Sequence, residues 1–459
     1  MKSNNKWNFG IKQLKNILFV FLSAAVLSIV PFCHGQENDF PLRDGDTWVM
    51  AGDSITAQHL HSNYFEAFCY ARFPNLTFHF RNSGVGGDTI PKTLARFSWD
   101  IEAWKPTVVS VELGMNDSGQ GPESTPSYIS NMNILVDRIR KAGARPVLFT
   151  SSAVNDGTSS RNLKGRNLTI DLYSSALEGF AAAHRVPFAN QFHTLLDLWG
   201  ANKIVENMIL FSENVKATVS ISDVPGKDLL EQWIDTWEKS GMEKRGINLG
   251  GNPVHPGPAG QIMMSTMLLK GLKAPGLVST ATIDASGKVI EEVQCRVTGV
   301  KRDGKSISFD RIDQSLPMPI PDNCRGALRV LPSMEELSRW ILTIKEIKPG
   351  NYRITVDGVE VAVVSSVELD KGWNMGLLEK GPVADQCRLI LELVSEKEKL
   401  VGLWRAKSKS ASVGKILSET DKASLEEMAK QVLDADAKIK IAAKPAVHRF
   451  VISPADTDN

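Results

Sequence analysis

Trp48-Val49-Met50-Ala51-Gly52-Asp53-Ser54 decides the fold. Four apolar residues end abruptly on a glycine and two small polar residues. That is how a buried strand ends in a tight turn before a helix. Working outward, short apolar runs of the same kind recur at Leu76 to Phe80, Thr107 to Leu113, Pro146 to Thr150 and Val186 to Ala189. Between them, Tyr64 to Arg72, Ile90 to Trp104, Ser127 to Ala142 and Leu172 to His184 carry apolar residues at helical spacing. Alternating strands and helices predict an α/β fold with a parallel sheet covered by helices on both faces. In such sheets ligands bind beyond the carboxyl ends of the strands.

Three motifs fall at those ends: Gly52-Asp53-Ser54, Gly84-Val85-Gly86-Gly87-Asp88-Thr89 and Gly114-Met115-Asn116-Asp117. A fourth, Val254-His255-Pro256-Gly257, lies far downstream in a Pro/Gly-rich loop, just before a helix expected over Ala259 to Leu272. Gly-Asp-Ser alone is no more than a turn with a helix cap. The ordered set carries the inference. A serine hydroxyl needs a base to take its proton as it attacks. Ser54 is the candidate nucleophile and His255 the candidate base. Attack on an ester carbonyl creates an oxyanion that needs fixed donors. Ser54 N–H, Gly87 N–H and the Asn116 side chain are the candidates. His59 and His61 are expected on the helix after Ser54, as helix or cleft residues.

These four blocks resemble the SGNH (GDSL-type) hydrolase and esterase family, with Ile55 where many members have Leu. The resemblance spans roughly Trp48 to Leu272. It implies a flavodoxin-like doubly wound sheet and serine-ester chemistry at Ser54 and His255, with Ser54, Gly87 and Asn116 forming the oxyanion hole. It also implies an acyl ester substrate, with family members acting on carbohydrate esters, lipids, thioesters and aryl esters. One position departs from the pattern. The family carries Asp three residues before the histidine, and here that residue is Asn252. An amide can present N–H to the ring and favour the wrong tautomer, or present its oxygen and orient the ring correctly. Three readings stay open: a Ser-His pair oriented by Asn252 or a backbone carbonyl, a carboxylate supplied from elsewhere such as the Lys203 to Asn248 segment, or a cleft that binds glycan without catalysis. Acyl transfer to an acceptor hydroxyl shares the first half-reaction.

The rest of the sequence sets the context. A chain of 459 residues exceeds the usual ~100–200 of one domain, and a net charge of +1 gives no reason to expect nucleic acid as a partner. Lys2, Lys6, Lys12 and Lys15 precede the apolar stretch Ile17 to Val30, which gives way to Gln36-Glu37-Asn38-Asp39. This is the layout of a signal peptide over residues 1–35, and it predicts an exported protein without stable membrane insertion. The remaining Cys69, Cys295, Cys324 and Cys387 allow three complete pairings or free thiols. No Cys/His cluster has metal-ligand spacing, and neither a metal nor a cofactor is expected.

Residues 40–278 are assigned to the hydrolase domain and 279–459 to an accessory β-plus-helix domain. Lys203 to Asn248 reads as an irregular excursion or lid. In the accessory part, Asp303-Gly304 and Asp357-Gly358 predict hairpin turns. Ser333 with Glu336 predicts a capped helix running to Leu342. Val383 to Arg405 and Ser418 to Ala443 are expected to be helical.

Overall fold

The computed structural model describes residues 39–455 apart from 222, 245, 414 and 415. The expected signal peptide lies outside the described residues. The first layer is a five-stranded parallel sheet in the order β2-β1-β3-β4-β5, built from β1 (Asp46–Gly52), β2 (Phe78–Gly84), β3 (Val108–Glu112), β4 (Arg145–Phe149) and β5 (Phe188–Ala189). This is the doubly wound order expected of the fold class. Period-2 alternation sends Trp48 and Met50 to one face and Val49 and Ala51 to the other. The first face packs on α1 (His61–Arg72), the start of α5 (Phe192–Ile221) and α7 (Pro258–Gly271). The second is covered by α2 (Ile90–Asp100), α3 (Thr125–Lys141) and α4 (Gly165–His184).

Strand β2 runs past the apolar residues that predicted it. Phe78 and Phe80 fill the core as expected, but the strand continues through Arg81, Asn82 and Ser83, all buried. Each buried polar side chain has partners: Arg81 with Asp436, Asn82 with the Thr56 carbonyl and Ser62, and Ser83 with Asp100. Buried polar groups persist only when so paired.

The segment expected to be irregular is helical, comprising the long α5 and then α6 (Lys227–Ser240). No helix among the described residues is long and apolar enough to cross a membrane.

Beyond α7 the architecture changes. A four-stranded sheet has the order β13-β10-β6-β7, from β6 (Leu277–Asp284), β7 (Val289–Val293), β10 (Arg339–Lys345) and β13 (Trp373–Asn374). A five-stranded antiparallel sheet has the order β12-β11-β14-β9-β8, from β8 (Cys295–Asp303), β9 (Ser306–Asp313), β11 (Asn351–Val356), β12 (Val359–Ser365) and β14 (Val447–Pro454). Both expected hairpins form at Asp303-Gly304 and Asp357-Gly358. The expected helix from Ser333 does not. Pro332–Leu337 is a short 3-10 turn, and Trp340, Leu342 and Ile344 alternate into the core as strand β10. Short helices α8 (Ala327–Val330) and α9 (Ser366–Lys371) interrupt the sheets, and the capping box sits on α9, between Ser365 and Glu368.

The last two helices, α10 (Pro382–Ser412) and α11 (Glu419–Ala442), form a pair laid against α1, α2 and β2. Buried ions mark the seam. Lys397 of α10 is fully buried and bonds Glu66 of α1 at 2.8 Å, the Phe80 carbonyl at 2.9 Å and its neighbour Glu398. Asp436 of α11 meets Arg81 at 2.8 Å, and Arg405 of α10 meets Asp100 at 2.6 Å. The described residues form one compact unit, and the hydrophobic cluster on the Trp48 face of the first sheet runs from Phe40 to Ile452. Cys69, Cys295, Cys324 and Cys387 are free thiols.

Candidate active site

Strand β1 lies between β2 and β3, so the loops after all three strands meet at one edge of the sheet. Ser54 follows β1, Gly87 follows β2 and Asn116 follows β3. The turn after β1 is held by Asp53, whose Oδ1 accepts the Ile55 N–H at 2.9 Å while its carbonyl accepts the Ala57 N–H at 3.0 Å. Gly84 is required at the end of β2, because a side chain there would collide with the backbone of Ala57.

His255 reaches this edge from the loop before α7. That loop is a tight turn in which Asn252 N–H donates to the His255 carbonyl at 3.0 Å and Gly257 N–H to the Leu249 carbonyl at 3.0 Å. Gly251 has φ +69°, and a Cβ there would strike the His255 carbonyl. From outside, Asn155 N–H donates to the Pro253 carbonyl at 2.8 Å. From below, buried Gln261 donates to the Pro256 carbonyl at 2.9 Å and to Gln58 at 2.7 Å, and it accepts from His61 N–H at 3.0 Å. The Gln261 side chain therefore braces the histidine loop against the serine turn.

The outcome is a contact between residues 201 apart in sequence: His255 Nε2 lies 2.7 Å from Ser54 Oγ. The other ring nitrogen, Nδ1, lies 3.2 Å from Asn252 Oδ1. The same oxygen accepts the Val254 and His255 N–H groups, each at 2.9 Å. An amide turned the other way would point its NH2 at two backbone donors, so these bonds fix which atom faces the ring. Oxygen can only accept. Nδ1 therefore carries the hydrogen, and bare Nε2 accepts from the serine hydroxyl. Among the described residues no Asp or Glu makes an ion pair with His255.

Facing Ser54, the loop after β2 is pinned by Asp88, which accepts from Thr93 at 2.8 Å and Arg96 at 2.7 Å. Gly87 takes φ +71° with open space where a Cβ would point. Among the described residues, neither the Ser54 N–H nor the Gly87 N–H donates a hydrogen bond. Asn116 Nδ2 donates to the Asp88 carbonyl at 2.9 Å and makes a long 3.4 Å contact with Asp53 Oδ2. Its second hydrogen is therefore weakly engaged. Two unengaged backbone donors and an amide thus lie on the loops after β1, β2 and β3, at the same edge of the sheet as Ser54.

Below the site is a polar layer that motif reading does not reveal. Burial pushes the Asp53 carboxyl up to about 7, helped by nearby Glu112 and only partly offset by the Ile55 N–H. Glu112 of β3 bonds His61 Nε2 at 2.8 Å and accepts from Gln191 at 2.8 Å. Burial pushes the His61 imidazole down, but the Glu112 carboxylate outweighs it and holds the pKa above its usual value. His61 is thus buried scaffolding and not a cleft residue. His59 has φ +58° and meets Glu398 of α10 at 3.3 Å.

A serine-histidine contact at the carboxyl edge of a doubly wound sheet is the arrangement of an SGNH-type serine hydrolase. Residues 50–261 match the model of the GDSL-like Lipase/Acylhydrolase family. Among solved structures, the chain is similar to BT4096, a gut microbial diltiazem-metabolizing enzyme, with a TM-score of 0.68 and 20% identity, covering 90% of this chain and 99% of that one. Axe2, an acetylxylan esterase from Geobacillus stearothermophilus, aligns with a TM-score of 0.34 and 18% identity, over 50% of this chain and 94% of that one. An uncharacterized lipoprotein of Bacillus subtilis (strain 168), YqeF, is 28% identical over 87 residues, which is 18% of this chain and 36% of that relative. The chain thus spans about a third of the length of this curated relative.

Proposed function

We propose that this protein is an exported serine esterase that removes acyl groups, acetyl in the first place, from carbohydrate. The observation that carries the esterase reading is the 2.7 Å contact between His255 Nε2 and Ser54 Oγ, with Asn252 Oδ1 behind the ring. Ser54 Oγ attacks the acyl carbon as its proton passes to His255 Nε2. The carbonyl oxygen becomes an oxyanion held by the N–H groups of Ser54 and Gly87 and the Asn116 amide. Collapse of the tetrahedral intermediate breaks the bond to the alcohol oxygen, which takes the proton back from Nε2. Water then attacks the acyl-serine with His255 again as base, releasing the carboxylic acid and restoring the hydroxyl. Asn252 holds the ring in the working tautomer, but its neutral oxygen stabilises the imidazolium less than a carboxylate does.

Carbohydrate as the alcohol portion is in keeping with an exported serine esterase. Export rests on the basic-then-apolar pattern of residues 2–30. Purified protein should release 4-nitrophenol from 4-nitrophenyl acetate, and Ser54→Ala should abolish the release. Equal rates in the two proteins would defeat the esterase reading. Acetate release from acetylated xylo-oligosaccharides tests the sugar, and a mature N-terminus near residue 36 in the exported fraction tests the leader.

A further inference from the structure

An open cleft of about 570 Å³ adjoins the loop that carries Gly87. One wall is that loop, through Gly84 to Gly86 and Asp88; the others come from α2 and, across the seam, from α10. Four cations line it: Lys92, Arg96, Arg405 and Lys409. They face Asp88 in the lining and Asp100 behind it, leaving a surplus of two positive charges. The surplus has an address. Arg96 is engaged by Asp88 and Asp100, and Arg405 by Asp100 at 2.6 and 2.8 Å. Lys92 Nζ bonds only the Gly87 carbonyl, at 2.8 Å, and Lys409 has no acidic partner among the described residues. Both lysines are exposed. The arginines build the cleft, and the lysines leave it electropositive.

The remaining lining gives the cleft shape. Half-buried Trp99 contributes an aromatic surface, of the kind on which ring-shaped ligands pack. Ala95, Gly402 and Ala406 keep the floor low, and a Cβ on Gly86 or Gly402 would meet nothing within 4 Å. The cleft therefore offers a flat apolar face, two cations without carboxylate partners and room for a ring, one residue from the Gly87 N–H.

We infer that this cleft is a subsite for an anionic ring on the alcohol side of the substrate, so that the preferred esters are those of acidic sugars bearing carboxylate or sulfate. This rests on the esterase reading of Ser54. Lys409 would then give α10 a part in choosing substrate.

The test separates binding from turnover. Full-length Ser54→Ala protein, which leaves the ester intact, is titrated calorimetrically with three O-acetylated trisaccharides: a galacturonate, a sulfated galactan fragment and neutral xylotriose. At least one anionic ligand should bind about fivefold tighter than the neutral one. Adding Lys409→Glu should bring that ratio close to one, with the neutral ligand as internal reference for a folded cleft. The preference should shrink as salt rises from 20 to 300 mM, values that straddle the range over which screening sets in. The stronger anionic arm identifies the group. Equal affinities in all three arms, or a preference untouched by Lys409→Glu, would overturn the subsite. If wild-type protein hydrolyses none of the three esters while the preference persists, the esterase reading fails and the subsite stands.

Discussion

The ring of His255 meets the oxygen of the Asn252 side chain, at 3.2 Å from Nδ1. Two backbone N–H groups hold that amide in place, so the asparagine does for the ring's orientation what an aspartate would do. It cannot supply the aspartate's charge. In a Ser-His-Asp protease, replacing Asp by Asn lowers turnover by about 10⁴, with the wrong tautomer as the cause. Here the tautomer is correct, so only the charge is missing.

Asn252→Asp should therefore raise kcat on 4-nitrophenyl acetate by about tenfold, well short of the full 10⁴. KM should change little, because the imidazolium exists only after attack has begun. An unchanged or lower kcat would show that the ring needs no charge at this position.

Asn116→Ala should lower kcat by about 10²–10³, the usual cost of removing one oxyanion donor. Asn116 also holds the Asp88 carbonyl. A thermal melt should accompany the kinetics, and a midpoint near that of the wild type would assign the loss to the missing donor.

Asp53 gives a pH signature. Its carboxyl titrates at about 7 when folded, against 3.8 for its ordinary value. Between those values the folded state holds a proton that the unfolded state has lost. This contribution to stability is therefore full below about pH 4, declines as pH rises to about 7, and is flat above, with a slope of at most about 1.4 kcal/mol per pH unit. Asp53→Asn removes it. Urea unfolding of both proteins at pH 5 and pH 7.5 should show the wild type losing more stability across the interval. Parallel curves would contradict this.

Lys397→Met should cost about 3–5 kcal/mol, because it removes the buried ammonium that Glu66 and Glu398 share and leaves Glu398 only the partly exposed His59 as a partner. Combining it with Glu66→Gln and Glu398→Gln should recover most of the loss. Chemical denaturation reads both, and a single variant as stable as wild type would mean that the cluster is hydrated.

The layered sheet and the Ser54, Gly87, Asn116 and His255 set are legible because strand ends and Gly-rich turns leave local marks. What escaped reading depends on distant partners. Arg81, Asn82 and Ser83 look like the end of a strand, and they continue β2 because Asp436, Ser62 and Asp100 satisfy them. Ser333 and Glu336 carry a helix-start pattern, but pairing with β6 on one side and β13 on the other makes the following residues a strand. Helix α5 hid because Ile204, Leu210 and Phe211 are exposed, which blurs the apolar stripe that marks an amphipathic helix. The Glu112–His61–Gln191 layer has no motif, since its members come from β3, the start of α1 and the residue before α5. The tautomer of His255 was equally hidden, because it follows from two backbone bonds to Asn252 and not from the residue type.

Arg405 and Asp100 join α10 to the helix behind the Gly87 loop. A fragment cut near residue 278 would keep every residue of the serine-histidine pair, yet it would bare Asp100, Glu66 and Arg81 together with the apolar face they surround. Such a fragment should be unstable and poorly soluble as a stand-alone protein. Helices α10 and α11 therefore serve as cover for the hydrolase face, and substitutions on either side of the seam should be tolerated only where they preserve its buried ion pairs.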